Sequence, residues 1–342
     1  MTRMAEQSQV AGVNAAARQS AAAIPLRELV TPPRYPAVAA VERKLRITVL
    51  SGGDSTEREV SLKSGRAIAA ALRSLGHTVE LADITSARLG ALDLPADMVF
   101  IALHGSFGED GRLQAILEQR GIRYCGSGPE ASATAMDKVA AKKRFIEAGV
   151  PTPRFDVVGL ERVEQVLKFW ATPVVLKPVA EGSSVDTIIA FDQDTFAVEL
   201  RRIAGQYGRC LIEQYIRGPE LTVGVLGDQA LPPIQIRTKR PFYDYEAKYL
   251  DDDTEYLFDI DLPGVVLEHV GSLSLRAHQA LGCRDFSRVD WMIDGQTHQP
   301  YALEVNTIPG FTDHSLLPKA AQRAGLGFAE LCQWIVMLTC QR

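Results

Sequence analysis

The chain has 342 residues, a formal net charge of −5 and a pI near 5.8. This acidic balance argues against nucleic acid as the main partner, because proteins that bind it normally carry a basic excess. Apolar residues make up 46% of the chain, as in globular proteins, and no run approaches the roughly 18 apolar residues of a membrane-spanning helix. The five cysteines are widely separated and form no CxxC pair, which favours reduced thiols in the cytoplasm over disulfides or a zinc site.

A chain of this length predicts two or three domains. Residues 1–43 are rich in Ala, Ser, Gln and Pro and show no sustained period, so they predict a disordered extension. This stretch lacks the continuous apolar segment of a secretory signal. The position of the true translation start stays open.

The first folded unit is predicted to be an α/β layer. A strand at 45–50 leads into the turn Gly52-Gly53 and a helix that ends at Gly76. This turn lacks the GxGxxG pattern of dinucleotide-binding folds, so the glycines alone do not indicate that cofactor. Further strands at 78–82 and 98–103 and a helix at 113–119 continue the layer.

Two polar residues stand at the ends of these strand units. Open α/β sheets bind ligands at such ends, which makes Glu57 and His104 candidate site residues. The alternative for His104 is a loop histidine whose hydrogen bonds are satisfied by the backbone.

The middle of the chain contains a candidate phosphate site. Helices are predicted at about 133–148 and 163–170, and a strand at 174–177 ends on Lys177. The small, hydroxyl-rich loop 178–185 follows, and a lysine before such a loop presents charge and backbone N–H groups to phosphate. The Walker pattern is missing, which excludes a P-loop, and a surface lysine is the alternative.

Strands at 210–216 and 220–225 follow, separated by Gly218-Pro219, which we take as a domain boundary. The segment 238–261 alternates aromatic and charged residues, and no strand partner is evident in the sequence. Loops of this length in compact domains are usually functional, so we predict a lid. Helices are also predicted at 266–281 and 328–338, and the predicted domains span 44–136, 137–218 and 219–342.

A hairpin near the C-terminus carries the densest set of polar residues. Alternating polar and apolar residues flank an Asp-Gly turn signal, which predicts two antiparallel strands. A pairing centred near Thr297 places Asp290 opposite Glu304 and Arg288 opposite Asn306 on one face. Like charges directly opposite each other are destabilising, so the two carboxylates predict a cation between them.

Carboxylate and carboxamide oxygens suit Mg²⁺, which takes one or two carboxylates and leaves other positions for water and substrate phosphate. The alternative is a solvated polar face of the hairpin without a metal.

Seven ordered motifs resemble the D-alanine:D-alanine ligases of the ATP-grasp superfamily, over residues 45–342. They are Gly52-Gly53 with Glu57-Arg58-Glu59-Val60-Ser61-Leu62; Leu103-His104-Gly105; Met136-Asp137-Lys138; Glu181-Gly182-Ser183-Ser184-Val185; Tyr243-Asp244-Tyr245-Glu246-Ala247-Lys248-Tyr249; Arg288-Val289-Asp290; and Glu304-Val305-Asn306-Thr307 with Pro309-Gly310.

The resemblance implies a three-domain ATP-grasp architecture of α/β and α+β class, with an N-terminal Rossmann-like domain. It implies an ADP-forming ligase that joins two D-alanines through an acyl phosphate for peptidoglycan synthesis, with ATP as co-substrate and two Mg²⁺ ions, or Mn²⁺ in their place. A cytoplasmic homodimer without nucleic-acid or membrane partners is implied as well.

The resemblance also assigns roles to individual residues. The implied metal ligands are Asp290, Glu304 and Asn306. The implied nucleotide contacts are Lys138, Lys177, Glu213, Glu220 and Lys248. The implied catalytic residues are Glu57, Ser183, Tyr249, Arg288 and the Gly310 backbone N–H, and the implied substrate contacts are His104, Ser315 and the Leu316 N–H.

One position departs from the family pattern. Asp186 stands where the family usually has glycine, in a loop that should close over phosphates. A glycine there would allow a positive φ, which aspartate adopts at some cost. If the carboxylate faces the phosphates, Asp186→Gly is expected to lower the Michaelis constant for ATP.

Two alternatives to a D-alanyl-D-alanine product remain open. One is a ligase with another second substrate such as D-lactate, although the run 243–249 is of the dipeptide-forming type. The other is a silent paralogue that binds nucleotide or D-alanine without catalysis.

Overall fold

The computed structural model describes residues 44–238, 254–312 and 315–342, which form three β-sheets with helices packed on them. The predicted extension 1–43 and the site residues Lys248 and Tyr249 lie outside the described residues. Within those described ranges, no helix combines the length and apolarity needed to cross a membrane.

The first sheet is parallel and has the order β2-β1-β3, with β1 at Arg46–Gly52, β2 at Thr78–Ile84 and β3 at Met98–Ile101. The central β1 is buried along nearly its whole length, as expected for a parallel strand covered on both faces. Helix α1 spans Arg58–Ser74 and α2 spans Arg112–Gln119. The predicted α/β layer is therefore confirmed.

The helix predicted at 133–148 is two helices, α3 at Pro129–Met136 and α4 at Lys138–Glu147. Asp137 interrupts them with an extended backbone, and its carboxylate accepts hydrogen bonds from the N–H groups of Val139 and Ala140, both at 2.9 Å. An aspartate at this position satisfies N–H groups that a new helix leaves unpaired. The break makes Lys138 the first residue of α4.

The second sheet is antiparallel with the order β4-β7-β5-β6. Its strands are β4 at Phe155–Val158, β5 at Val174–Pro178, β6 at Ile188–Ala190 and β7 at Cys210–Gln214, and its helices are the short α5 at Val163–Val166 and α6 at Gln193–Tyr207. Helix α6 was not predicted, although Asp192 caps its start and Gly208, with φ of 76°, ends it. These are ordinary sequence signals for helix ends.

The third sheet has the order β11-β10-β8-β12-β13, with β9 paired to β8. Its strands are β8 at Glu220–Leu226, β9 at Gln229–Ala230, β10 at Ile234–Arg237, β11 at Glu255–Leu257, β12 at Phe286–Ile293 and β13 at Pro300–Asn306, and its helices are α7 at Gly264–Ala280, α8 at Leu316–Arg323 and α9 at Phe328–Cys340. Because β11 pairs with β10, the expectation that the segment 238–261 has no strand partner was wrong for its last part.

Three aromatic rings join the first sheet to the third. Phe100 in β3, Phe286 in β12 and Phe311 after β13 lie with ring centroids 5.5–6.4 Å apart, and all three are buried. Aromatic pairs at such distances add to the free energy gained by burying their area. This core contains residues from both ends of the folded chain. The boundaries of the three predicted domains stay a prediction.

A buried histidine in α7 predicts a pH-dependent stability. The Nδ1 atom of His278 lies 2.7 Å from the Ser287 hydroxyl, and burial lowers its pKa from 6.5 to about 4. Between these two values the unfolded chain binds more protons than the folded one, so stability falls as pH drops through this window. The loss from His278 alone amounts to about 2 kcal/mol at pH 5.

We therefore expect His278→Asn to flatten the decline in unfolding free energy between about pH 7 and pH 5, measured by urea denaturation. His269→Asn is the matched control, because His269 is exposed on the same helix. An unchanged slope in the His278 variant would contradict the assignment.

Candidate active site

A cavity of about 380 Å³ lies between the second and third sheets. Six residues predicted from the sequence line it: Lys138, Lys177, Glu213, Glu220, Asp290 and Glu304. Lysines and carboxylates that are far apart in the chain are thus brought to one site.

The hairpin of β12 and β13 has the predicted register at its four polar residues. Asp290 lies opposite Glu304 and Arg288 opposite Asn306. Nearer the turn the register shifts by one, and Leu303 is the extra residue of a β-bulge. The sequence did not predict this bulge. Continuing the register of the turn end would have placed Asp290 opposite Leu303, so the bulge is what makes the two carboxylates face each other.

Asp290 is buried and held by three neighbours. Arg288 donates from Nε to Oδ1 at 2.8 Å and from Nη2 to Oδ2 at 2.7 Å, a two-pronged geometry typical of strong arginine–carboxylate pairs. Asn306 Nδ2 donates to Oδ2 at 3.0 Å, and Thr222 Oγ1 donates to Oδ1 at 2.6 Å. Thr222 was missed because only the pairing of β8 with β12 places it opposite Asp290.

The chemistry of this set fits Mg²⁺. Asp290 and Glu304 supply carboxylate oxygens, and Asn306 retains its amide oxygen as an acceptor because its nitrogen donates to Asp290. Within the described residues, no third His, Cys, Asp or Glu side chain joins these two carboxylates to form a larger metal-binding group. Two carboxylates suit an ion that completes its shell with water and substrate phosphate.

Glu213 lies between two lysines in the wall of the cavity. Its Oε2 is 2.6 Å from Lys177 Nζ and its Oε1 is 2.6 Å from Lys142 Nζ. Burial opposes ionisation of Glu213, but the two ammonium groups outweigh it and the pKa of this carboxyl is lowered. With 8% of its surface exposed, Lys177 is not the surface lysine of the alternative interpretation.

Lys142 is a site residue that the sequence analysis missed. It is fully buried, and its ammonium also donates to the Thr152 hydroxyl at 2.6 Å. Burial lowers its pKa to about 8, although Glu213 acts in the opposite direction. Its spacing in the sequence could have identified it, because Lys142 follows Lys138 by four residues and therefore lies on the same face of α4.

Lys138 connects the hairpin to the loop of the second sheet. Its ammonium donates to the Glu181 carbonyl and lies 3.8 Å from Glu304 Oε2. Lys138 thereby lies beside the loop that follows β5 and beside the carboxylate of Glu304, the two parts of the site expected to surround a phosphate.

The loop 182–187, here called the phosphate loop, has an unusual backbone. Ser183, Ser184 and Asp186 have φ values of 50°, 58° and 52°, and two turn hydrogen bonds of 3.1 Å close the loop. Ser184 and Thr187 line the cavity, whereas the carboxylate of Asp186 pairs with Arg202 and accepts a hydrogen bond from Tyr207. The condition for a lower Michaelis constant for ATP in Asp186→Gly, a carboxylate that faces the phosphates, is therefore not met, because Asp186 has local partners on α6.

The phosphate loop also contacts the first sheet. The Ser183 hydroxyl donates to Glu57, which precedes α1 and is mostly buried. Ser55 accepts from the Glu57 N–H at 3.2 Å and donates to the His104 carbonyl at 2.7 Å. Glu57, Ser183 and His104 thus lie together, as predicted for one end of the site.

His104 is buried among several polar groups. Its Nδ1 lies 3.1 Å from the Ile308 carbonyl and 3.7 Å from Glu109 Oε1, and its Nε2 lies 3.4 Å from the Ser64 hydroxyl. Burial opposes the charged form, but Glu109 and Glu57 prevail and the pKa of His104 is raised. The alternative, a histidine whose hydrogen bonds are satisfied by the backbone, therefore applies to Nδ1, which faces a carbonyl, but not to Nε2, which faces a side chain. Glu109, five residues further on, was missed.

The residues predicted to hold the second substrate lie where α8 begins. Ser315 precedes the helix, Leu316 is its first residue, and the Ser315 hydroxyl accepts from the Thr312 N–H at 3.0 Å. A Cβ on Gly310 would lie 2.8 Å from the Ser315 hydroxyl, so a larger residue there would force this hydroxyl to move. Helix N-termini bind carboxylates readily.

Comparisons with known proteins agree on one family. The family model described as D-ala D-ala ligase C-terminus matches residues 147–337, and that described as D-ala D-ala ligase N-terminus matches residues 77–127. The D-alanine–D-alanine ligase of Marinobacter nauticus is 47% identical over 288 residues, which cover 84% of this chain and 88% of that protein.

Two solved structures share the fold. The D-alanine–D-alanine ligase of Bacillus anthracis complexed with ATP has a TM-score of 0.72 and 32% identity, covering 87% of this chain and 98% of its own. The VanG D-Ala:D-Ser ligase of Enterococcus faecalis has a TM-score of 0.77 and 26% identity, covering 87% of this chain and all of its own. The predicted ATP-grasp fold class is confirmed, and the chain belongs to the D-alanine–D-alanine ligase family.

Proposed function

We propose that this chain joins two D-alanines to D-alanyl-D-alanine, with ATP converted to ADP and an acyl phosphate as intermediate. The observation that carries the proposal is a single cavity lined by Lys138 and Lys177 and by the facing carboxylates of Asp290 and Glu304. The loop that lines this cavity also contacts Glu57 through Ser183. Nucleotide phosphates and the first substrate would therefore meet at this loop.

Phosphoryl transfer depends mostly on positioning and charge neutralisation. Lys138 and Lys177 would supply positive charge to the nucleotide phosphates. Glu213, whose oxygens both contact lysines, would hold Lys177 in place rather than contact the adenine as the resemblance implies. Glu220 lines the same cavity and remains the candidate for the ribose hydroxyls.

Asp290, Glu304 and Asn306 would hold Mg²⁺, or Mn²⁺ in its place, which when bound neutralises phosphate charge. Arg288 lies beside these residues, because its guanidinium donates two hydrogen bonds to Asp290. With the Gly310 N–H it would stabilise the oxyanion of the tetrahedral intermediate, an effect of ~3 kcal/mol per donor.

The two substrates would be held by different elements. Glu57 would bind the ammonium of the first D-alanine, with His104 beside it. Ser315 and the Leu316 N–H would bind the carboxylate of the second D-alanine at the N-terminus of α8. We further propose that the protein acts as a homodimer in the cytoplasm, as the resemblance implies.

A different second substrate is the competing proposal, since a D-Ala:D-Ser ligase shares the fold at 26% identity. A silent paralogue is disfavoured, because the structure, in the part of the chain that it describes, places Lys138, Lys177, Asp290 and Glu304 around one cavity.

Glu304→Gln should leave the fold intact and abolish nearly all ADP release with D-alanine, because one of the two facing carboxylates is lost. A coupled ADP assay measures the rate, and thermal unfolding checks the fold. Glu268→Gln, on the exposed surface of α7, is the control. ADP release within about threefold of the parent would overturn the role of Glu304.

Lys142→Met should destabilise the fold by about 3 kcal/mol, because removing one partner leaves the buried Glu213 undercompensated. It should also raise the Michaelis constant for ATP, since Lys177 loses its fixed position. Urea denaturation and steady-state kinetics measure the two effects.

Lys143→Met is the matched control for Lys142→Met, because the neighbouring Lys143 is exposed. Adding Glu213→Gln to Lys142→Met should recover part of the lost stability. If Lys142→Met behaves like the control, the buried pair has no role in holding the site.

D-Alanine should be preferred over D-lactate as acceptor, and mass spectrometry of the products from an equal mixture measures the ratio. The attacking amine must be unprotonated, so the dipeptide share should grow from about pH 6 to about pH 9. A mixture of D-alanine and D-serine is the control, because both acceptors carry an amine and their ratio should respond far less to pH. Predominant D-alanyl-D-lactate at neutral pH would contradict the acceptor assignment.

A further inference from the structure

Asp186 adopts a backbone conformation that normally favours glycine. Its φ is 52°, and it follows Ser183 and Ser184, which also have positive φ values. Non-glycine residues in this region persist where surrounding contacts compensate for the strain. The contacts of Asp186 therefore indicate what the residue does.

Both partners of Asp186 lie in the second half of α6. Its Oδ1 is 3.0 Å from Arg202 Nη1, and its Oδ2 accepts a hydrogen bond from the Tyr207 hydroxyl. This hydrogen bond raises the pKa of Tyr207 to about 12, so the hydroxyl keeps its proton at neutral pH and continues to donate. Arg202 is held in turn by Glu199, whose Oε2 lies 2.6 Å from its Nε.

Helix α6 is a firm anchor for these contacts. Phe196, Leu200 and Ile203 on its inner face are fully buried against the second sheet. A loop tied to this helix is tied to the core of the second sheet.

The opposite side of the phosphate loop lines the nucleotide cavity. Ser184, Val185 and Thr187 contribute to the cavity wall, and Ser183 donates to Glu57. An outward anchor at Asp186 therefore fixes which residues of the loop face inward.

We propose that Asp186, Arg202 and Tyr207 form a latch that holds the phosphate loop in its nucleotide-binding conformation. Asp186 is a positioning residue, because it acts on the nucleotide through the loop and does not touch it. This inference rests on the proposed function only in taking the cavity as the ATP site.

The latch predicts that loss of the Asp186 carboxylate weakens ATP binding. Repulsion between this carboxylate and the phosphates would instead predict tighter binding after its loss. A protein that samples its binding-competent state only part of the time binds more weakly in proportion to that fraction. Releasing the latch should therefore weaken ATP binding, while the groups that perform the chemistry stay in place.

Three variants test the latch: Asp186→Asn, Arg202→Gln and Tyr207→Phe. Each should raise the dissociation constant for Mg-ATP, measured by calorimetry without D-alanine, by about 3- to 10-fold. At saturating ATP, kcat should stay within about twofold of the parent. Asp194→Asn, an exposed carboxylate in the first turn of α6, is the control and should change neither quantity.

Hydrogen exchange of the unliganded protein gives an independent readout. The amides of residues 182–187 should exchange faster in the latch variants than in the parent and the control. Combining Asp186→Asn with Arg202→Gln should add little to either single change, because both break the same contact.

The outcomes separate the latch from the proposed reaction. If the parent releases no ADP with D-alanine, the proposed function fails, while ATP binding and amide exchange still test the latch. Tighter or unchanged ATP binding in Asp186→Asn, or unaltered exchange in the loop, would overturn the latch.

Discussion

Compensation of buried charge is the constraint on which this site depends. Glu213 is almost fully buried, and its ionised form is stable there only because Lys142 and Lys177 contact its two oxygens. Isolated charges in such surroundings cost several kcal/mol each. The three groups come from α4, β5 and β7, so satisfying this one carboxylate fixes a helix against two strands. It also places the Lys177 ammonium at the cavity, where a nucleotide phosphate would need it.

The same logic governs the hairpin and the loop of the second sheet. Asp290 is compensated by the guanidinium of Arg288, and the charge of Asp186 is compensated by Arg202. In the hairpin the compensated group lies inside the cavity, whereas in the phosphate loop it is turned away from it. Turning Asp186 away keeps one further carboxylate out of the cavity, and contacts to a well-packed helix offset the strain of the loop backbone.

Many strands and helices followed from local patterns, but the order of the strands, helix α6 and some boundaries did not. The run 133–148 has helical composition throughout, and the break at Asp137 depends on a side-chain cap that competes with helix continuation. Strand β11 is three residues long, and only its pairing with β10 makes it a strand. Short elements of this kind are decided by their partners, so sequence patterns alone predict them poorly.

The sequence by itself determined the family, through seven ordered motifs, and the alternation that puts Arg288 and Asp290 on one face of their strand and Glu304 and Asn306 on one face of theirs. Alternation of side chains along a strand is a local property and needs no knowledge of the rest of the fold. Only the tertiary structure decided that Lys142 reaches Glu213 and that Asp186 faces α6. Those contacts join elements far apart in the chain, and their direction depends on how the elements pack rather than on the residues beside them.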